Sequence, residues 1–366
     1  GQLSDLVKAA MQDSVVRSLI TDGIIAGVGA VIKFLPQILI MFFFILVLEA
    51  SGYMVRAAFL MDRIMASVGL SGRAFIPLLS SFACAVPGIM STRTIEDEKD
   101  RLTTILIAPL MTCSARLPVY TLVIGAMIPN IRVLPFVGLQ GLVMLGLYIM
   151  GVAGAFVVAL VLRRTVTKGE SSGFMMEMPK YQLPRLRDLV IGLWSRAEIF
   201  LKRAGTTIAF TTIVLWALLS FPKPPEHSVS TPVNYSVAGR IANGIEPAFR
   251  PVGFNRDIVL ALIPAMAARE VAVAALGTVY AIDDSGDNGG GAETRMGRTL
   301  HAKWSLPTAL AFLMWFVFAP QCISTIAVTR RETNGWKWPA FMVGYLFALA
   351  YIAAGATYWA ATGLGL

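Results

Sequence analysis

No Asp, Glu, Lys or Arg interrupts residues 338 to 366, and the same holds for 133 to 162, 204 to 222 and 304 to 329. Each run exceeds the roughly 18 mostly apolar residues that suffice to cross a bilayer. In hydrocarbon a backbone has no water to satisfy its N–H and C=O groups, so runs of this length fold as helices that bond to themselves. The reading is an all-α polytopic membrane protein. The 366 residues are 56% hydrophobic and 14% charged, against about a quarter charged in soluble domains. These runs are too many and too long to be signal peptides.

The formal net charge of +9 would suit nucleic acid if it were gathered in a patch. Instead the basic residues sit in short connections between apolar runs, as the positive-inside bias requires, and no nucleic-acid partner is expected. Cys84, Cys113 and Cys322 all lie within apolar segments, which argues against a disulfide framework. Both histidines, His227 and His301, fall in polar loops, so no bis-histidine haem site forms within the chain. No G-x-x-x-x-G-K-S/T stretch occurs, which excludes a P-loop from this sequence. The chain is not expected to be an enzyme or to bind a cofactor tightly.

Residues 1 to 22 read as an amphipathic lead-in, and the first membrane run follows at 23 to 48. The stretch 49-EASGYMVRAAFLMDRIM-65 spaces Arg56, Asp62 and Arg63 among Met, Phe and Leu, the pattern of a helix lying in the interface. The run 75-FIPLLSSFACAVPGIMST-92 is only marginally long and carries Pro77, Pro87 and Gly88. Such residues are tolerated at membrane depth where protein or a wet cavity satisfies the freed backbone groups, so a re-entrant hairpin is expected. Next, 106-LIAPLMTCSARLP-118 places Pro109, Cys113, Arg116 and Pro118 inside an apolar run that continues to Ile128. An interrupted helix is expected there.

The second half repeats this order. A span at 204 to 222 precedes 258-IVLALIPAMAAREVAVAALGTVYAI-282, which is broken by Pro264 and by Arg269 and Glu270. Residues 283 to 303 lack the terminal Glu of a calcium loop and read as a disordered external linker. Then 307-PTALAFLMWFVFAPQCISTIAVT-329 carries Pro320 and Cys322, so that 318-FAPQC-322 echoes 107-IAPLMTC-113. If 75 to 92 and 258 to 282 each return to the side they entered, the basic connections at 93 to 101, 163 to 203 and 330 to 337 share the cytoplasmic side. The expected organisation is a first membrane repeat at 23 to 162, a cytoplasmic basic connection at 163 to 203 and a second repeat at 204 to 366. These are read as two inverted repeats, each with a re-entrant hairpin, a discontinuous helix and a long transmembrane helix around a midplane site.

The runs 35-LPQILIMFFFILVLEASGYMVRAAFLMDRIM-65, 75-FIPLLSSFACAVPGIMSTRT-94, 109-PLMTCSARLPVY-120, 267-AAREVAVAALGTVY-280 and 330-RRETNGWKW-338 closely resemble the membrane domain of the bacterial ferrous-iron transporter FeoB, including both of its gate regions. The resemblance implies uptake of Fe2+ across the bacterial cytoplasmic membrane. It implies that GTP is handled only by a GTPase domain in cis or in trans, with membrane lipids, a small cytoplasmic accessory protein and a homo-oligomer as further partners. Family members carry a GTP-binding domain, a helical regulatory domain and a membrane helix ahead of this region. The competing readings are a nucleoside-type or other polar-solute carrier of related gate fold, and a non-transporting scaffold for a GTPase. Two positions depart from the family pattern: Ala50 stands where an Asp is common, and Ala83 where a Gly precedes the first-gate cysteine.

Ferrous iron accepts carboxylate, imidazole and sulfur ligands. With no histidine in the apolar runs, the candidate ligands are Cys84, Cys113, Cys322, Glu49, Glu270 and the thioethers of Met90 and Met111. A lone buried cysteine is ordinarily a small apolar side chain, and most of the 17 methionines must simply pack. The resemblance favours a path role for Cys84 and Cys113. Glu270, ionisable at membrane depth, is a candidate by position; the alternative is an ion pair, for example with Arg116. Arg116 and Arg269 are poor metal neighbours and read as a gate or charge clamp. Pro77, Pro87, Pro109, Pro118, Pro264 and Pro320 are the expected helix breaks.

Overall fold

The computed structural model describes residues 15–134, 137–167, 181–221, 236–267, 269, 271–280, 292–320 and 322–365. Among the described residues helices account for the fold, relieved by a two-stranded ribbon, β1 (Arg132–Leu134) and β2 (Val137–Gly138). The chain is an all-α polytopic membrane protein. Two compact units form, one from the described parts of Gly1–Arg56 and Met178–Gly244, the other from those of Ala57–Glu177 and Ile245–Leu366.

In the first unit a π-helical turn, Leu19–Ile25, leads into α1 (Ala26–Ala50), which runs unbroken through Pro36 as membrane helices can. Helix α2 (Tyr53–Ser67) follows and belongs mostly to the second unit. The basic connection expected at 163 to 203 contains α8 (Leu186–Ile199), which packs on α1. Arg196 of α8 pairs with Glu49 at 3.1 Å and lies over the Phe42 ring. A second π turn, Phe200–Gly205, enters α9 (Thr206–Ser220), the span expected at 204 to 222, and α10 (Val237–Phe249) comes next along the chain.

The second unit holds the broken elements. Two of its helices are long, apolar and continuous: α7 (Leu139–Thr165) and α16 (Lys337–Gly363). Each turns large apolar side chains outward, such as Leu145, Ile149 and Val157 on α7 and Ile352 and Trp359 on α16, and buries a stripe of small ones, such as Ala155 and Ala159 or Ala350 and Ala354. That inversion of the soluble pattern is what lipid selects, because lipid leaves packing of small residues to join helices.

Residues 75 to 92 form α3 (Phe75–Ala83) and α4 (Ala85–Ser91), broken at Cys84, whose backbone is extended at φ −158°, ψ 132°. The two helices fold back on each other. A Cβ on Gly88 would stand 2.9 Å from the Pro77 carbonyl oxygen and 2.0 Å from Ser81 Oγ, a proximity impossible along one straight helix with a rise of about 1.5 Å per residue. Residues 258 to 282 likewise give consecutive packed helices, α11 (Arg256–Ala267) and α12 (Val271–Val279).

The interrupted helices also form. In the first half, α5 (Glu98–Ile107) ends in a 3-10 turn at Ala108–Leu110, the chain extends through Met111 and Cys113, and a second 3-10 turn at Ser114–Arg116 starts α6 (Leu117–Met127). In the second, α14 (Leu306–Phe318) stops at Ala319 and α15 (Ile323–Glu332) begins after Cys322.

Several expectations need correction. Among the prolines only Pro109 and Pro320 lie at breaks; Pro77, Pro87 and Pro118 occupy opening turns of helices, where a missing N–H costs nothing. Pro264 lies inside α11, which continues to Ala267. The linker expected at 283 to 303 becomes helix from Ala292 to Lys303, labelled α13, so His301 is helical rather than in a loop. Met296 and Leu300, one turn apart, are buried, and Gly297 faces Ala126 of α6. Two apolar residues in a polar stretch are too faint a pattern to reveal that face in advance. Residues 1 to 14 of the lead-in, the Asp/Gly loop at 283 to 291, His227 and Glu270 lie outside the described residues.

Candidate functional site

Each helix break in the second unit leaves a terminal carbonyl that membrane hydrocarbon cannot satisfy. Side chains from the breaks satisfy several of them. Ser114 Oγ donates to the Ala83 carbonyl at 3.1 Å, beside Cys84. Arg116 Nη2 donates to the Pro109 carbonyl at 2.9 Å. Arg269, from the turn between α11 and α12, reaches across two breaks: its Nη2 donates to the Ala319 carbonyl at 3.3 Å and its Nη1 to Cys113 Sγ at 3.6 Å. Guanidinium groups suit helix C-termini, where the carbonyl dipoles accumulate negative charge. One turn before the first break, the Tyr345 hydroxyl donates to the Leu106 carbonyl.

The breaks therefore converge, and the cysteines ride on them. Cys84, Cys113 and Cys322 each occupy the extended residue directly ahead of a helical turn, and each is only partly buried. Helices α4 and α15, which start after Cys84 and Cys322, pack together. No three His, Cys, Asp or Glu side chains among the described residues come close enough to hold a metal ion together.

Of the other candidates, Met111 is buried at 4% exposure in the first break, and Met90 is partly buried in α4. Glu49 belongs to the other unit, where it pairs with Arg196. Thr112 Oγ1 and the Tyr120 hydroxyl are buried without hydrogen-bond partners, and Gly151 of α7 makes room for Thr112, whose Oγ1 would sit 2.9 Å from an added Cβ. Tyr120 lies four residues beyond Arg116, hence on its face of α6; the sequence offered no reason to select it over other tyrosines. Beyond Pro118, a cavity of about 520 Å3 opens among α6, α12 and α13, lined by Pro118, Thr121, Leu122, Val273, Arg298 and His301 among others.

At the far ends of the broken helices the basic connections meet acids. Asp100 Oδ1 forms an ion pair with Arg163 at 2.9 Å, both buried, and its Oδ2 accepts from the Ser71 backbone N–H at 3.2 Å. Glu332 is shared between Arg93 and Arg101. Residues from the three basic connections expected on one side thus join in ion pairs. The acids were invisible as partners in the sequence because each sits inside a dense run of mixed charge.

The family model described as "Nucleoside recognition" matches residues 31–127 and 201–336, and that of "Ferrous iron transport protein B C terminus" matches residues 144–196. Among curated proteins, the Fe(2+) transporter FeoB of Leptospira interrogans is 42% identical over 353 residues, covering 93% of this chain and 50% of its own length. That of Leptospira biflexa is 40% identical over 358 residues, 95% of this chain and 51% of its own. That of Staphylococcus aureus is 41% identical over 357 residues, 96% of this chain and 51% of its own. The chain spans about half the length of the curated relatives it matches. No solved structure matches significantly.

Proposed function

Because the chain belongs to the FeoB family, whose membrane gate domain it carries, we propose that it conducts ferrous iron inward across the bacterial cytoplasmic membrane. The observation that carries this reading is the convergence of the breaks at 84, 113 and 319 to 322, held by Ser114, Arg116 and Arg269. Cys113 and Cys84 are the ion's transit ligands, with Cys322 as the counterpart in the second half. Single soft ligands bind Fe2+ well enough to strip part of its water yet weakly enough to release it, which conduction needs. The cavity beside Pro118 and His301 is the outer mouth. Glu270 is a further ligand or a counter-charge. Segments 23 to 162 and 204 to 366 act as inverted repeats, and opening is driven by a GTPase domain in cis or in trans, with a small cytoplasmic accessory protein and self-association as further parts of the assembly.

The test is flux of Fe2+, Mn2+, Zn2+ and uridine into proteoliposomes down an imposed inward gradient, with and without the GTPase partner. Selective Fe2+ entry supports the reading. Entry of uridine alone would sink it, and no entry of any solute with folded protein favours a scaffold.

A further inference from the structure

We propose that Arg116 and Arg269 form a binding site for a small oxyanion, a carboxylate or a tetrahedral inorganic anion, beside Cys113. Both guanidinium-bearing residues are buried, Arg116 at 0% and Arg269 at 5% exposure. Arg269 Nη1 donates to the Cys113 sulfur at 3.6 Å, and Arg116 Nη2 donates to the Pro109 carbonyl at 2.9 Å in the same break. They lie close enough for their charges to repel.

Their hydrogen-bond partners are two carbonyls and a thiol; among the described residues no carboxylate pairs with either. Carbonyl dipoles offset only part of a full charge, and even with Glu270 as a counter-charge to one of them, two buried arginines leave a net positive charge at membrane depth, which is costly. Arg116 Nε and Nη1, Arg269 Nε and the Tyr120 hydroxyl are buried and make no hydrogen bond of good geometry, although the Tyr120 hydroxyl faces Arg116. Four such groups beside a half-open cysteine suit a ligand with several acceptor oxygens, because charge-assisted N–H···O bonds favour planar or tetrahedral oxyanions. A lipid phosphate is excluded as the source by the burial of both arginines. The site stands whether or not iron passes. Its consequence for transport rests on the iron reading: the anion converts a positively charged constriction into one a divalent cation can enter.

The experiment is equilibrium binding of radiolabelled sulfate to the detergent-purified full chain at constant ionic strength, with acetate and chloride as competitors. One saturable site is expected, displaced by acetate and about tenfold less readily by chloride, and weakened about tenfold by R116Q and by R269Q. R116K and R269K, which retain the charge, are expected to weaken it less. Absence of saturable binding to folded wild-type protein overturns the proposal, since the arginines are then balanced within the chain. So does chloride competing as well as acetate, or binding that survives both glutamine variants. Sulfate binding without Fe2+ entry sinks the iron reading and keeps the site; Fe2+ entry without sulfate binding does the reverse.

Discussion

Arg93 grips Glu332 with two donors, Nε to Oε2 at 2.8 Å and Nη2 to Oε1 at 2.6 Å, while Arg101 Nη2 reaches Oε2 at 2.9 Å. The carboxylate's side chain is 2% exposed and that of Arg93 53%. Glu332 ends α15, which Cys322 precedes; Arg93 follows α4, which Cys84 precedes; Arg101 belongs to α5, which ends ahead of Cys113. One carboxylate thus ties together the far ends of three cysteine-bearing elements.

Removing it should cost more than removing one arginine. E332Q keeps one acceptor oxygen but loses the charge and the second acceptor for three arginine N–H donors, and is expected to destabilise by about 2 kcal/mol. R93A, whose side chain is half in solvent, should cost about 1 kcal/mol or less. Thermal unfolding in detergent separates the two; equal effects would show that the shared carboxylate is not the centre of the latch.

The same latch has a pH signature. Burial raises the Glu332 pKa, but its hydrogen bond and ion pairs with Arg93, the charge of Arg101 and that of Arg331 outweigh burial and hold it below the ordinary carboxylate value. A depressed folded-state pKa means that the stabilisation is complete above the unfolded value, about 4.3, and is lost as pH falls through the lower folded value. Wild-type stability should therefore fall in acid more steeply than that of E332Q. Parallel pH curves for the two proteins would contradict this.

The hairpin of α3 and α4 depends on Gly88. With Ser81 Oγ at 2.0 Å and the Pro77 carbonyl at 2.9 Å from an added Cβ, G88A must push the helices apart, and overpacking of this kind costs about 1–3 kcal/mol. G344A, with nothing within 4 Å, should be neutral. Melting temperatures of the two variants decide the matter, and a stable G88A would show that the helices do not pack this closely.

Partial exposure of the cysteines predicts that a small water-soluble maleimide reacts with Cys84 and Cys113 in membranes. R269Q, by removing the donor to Cys113 Sγ, should change the Cys113 rate more than that of Cys84. Equal changes at both would indicate general loosening.

Legibility differed by physical cause. The long spans were plain because lipid demands uninterrupted apolar length, and the hairpins because prolines in short apolar runs have few other solutions. The cysteines were nominated by residue type and by resemblance. What escaped was pairing across distance. Arg269 could be nominated as a charge clamp but not matched to Ala319 and Cys113, and Glu332 looked like one acid in a basic loop. Prolines were overvalued as breaks: at 84 the chain extends at the cysteine itself, and Pro87 merely opens the next helix.

The central claim is that Fe2+ meets the Cys113 sulfur in transit, and Fe2+ influx into proteoliposomes bearing wild-type or C113S protein at matched reconstitution tests it most directly. The account predicts that C113S lowers the initial rate about tenfold, as loss of one soft ligand from a site with few would do. An unchanged rate in folded C113S would contradict it.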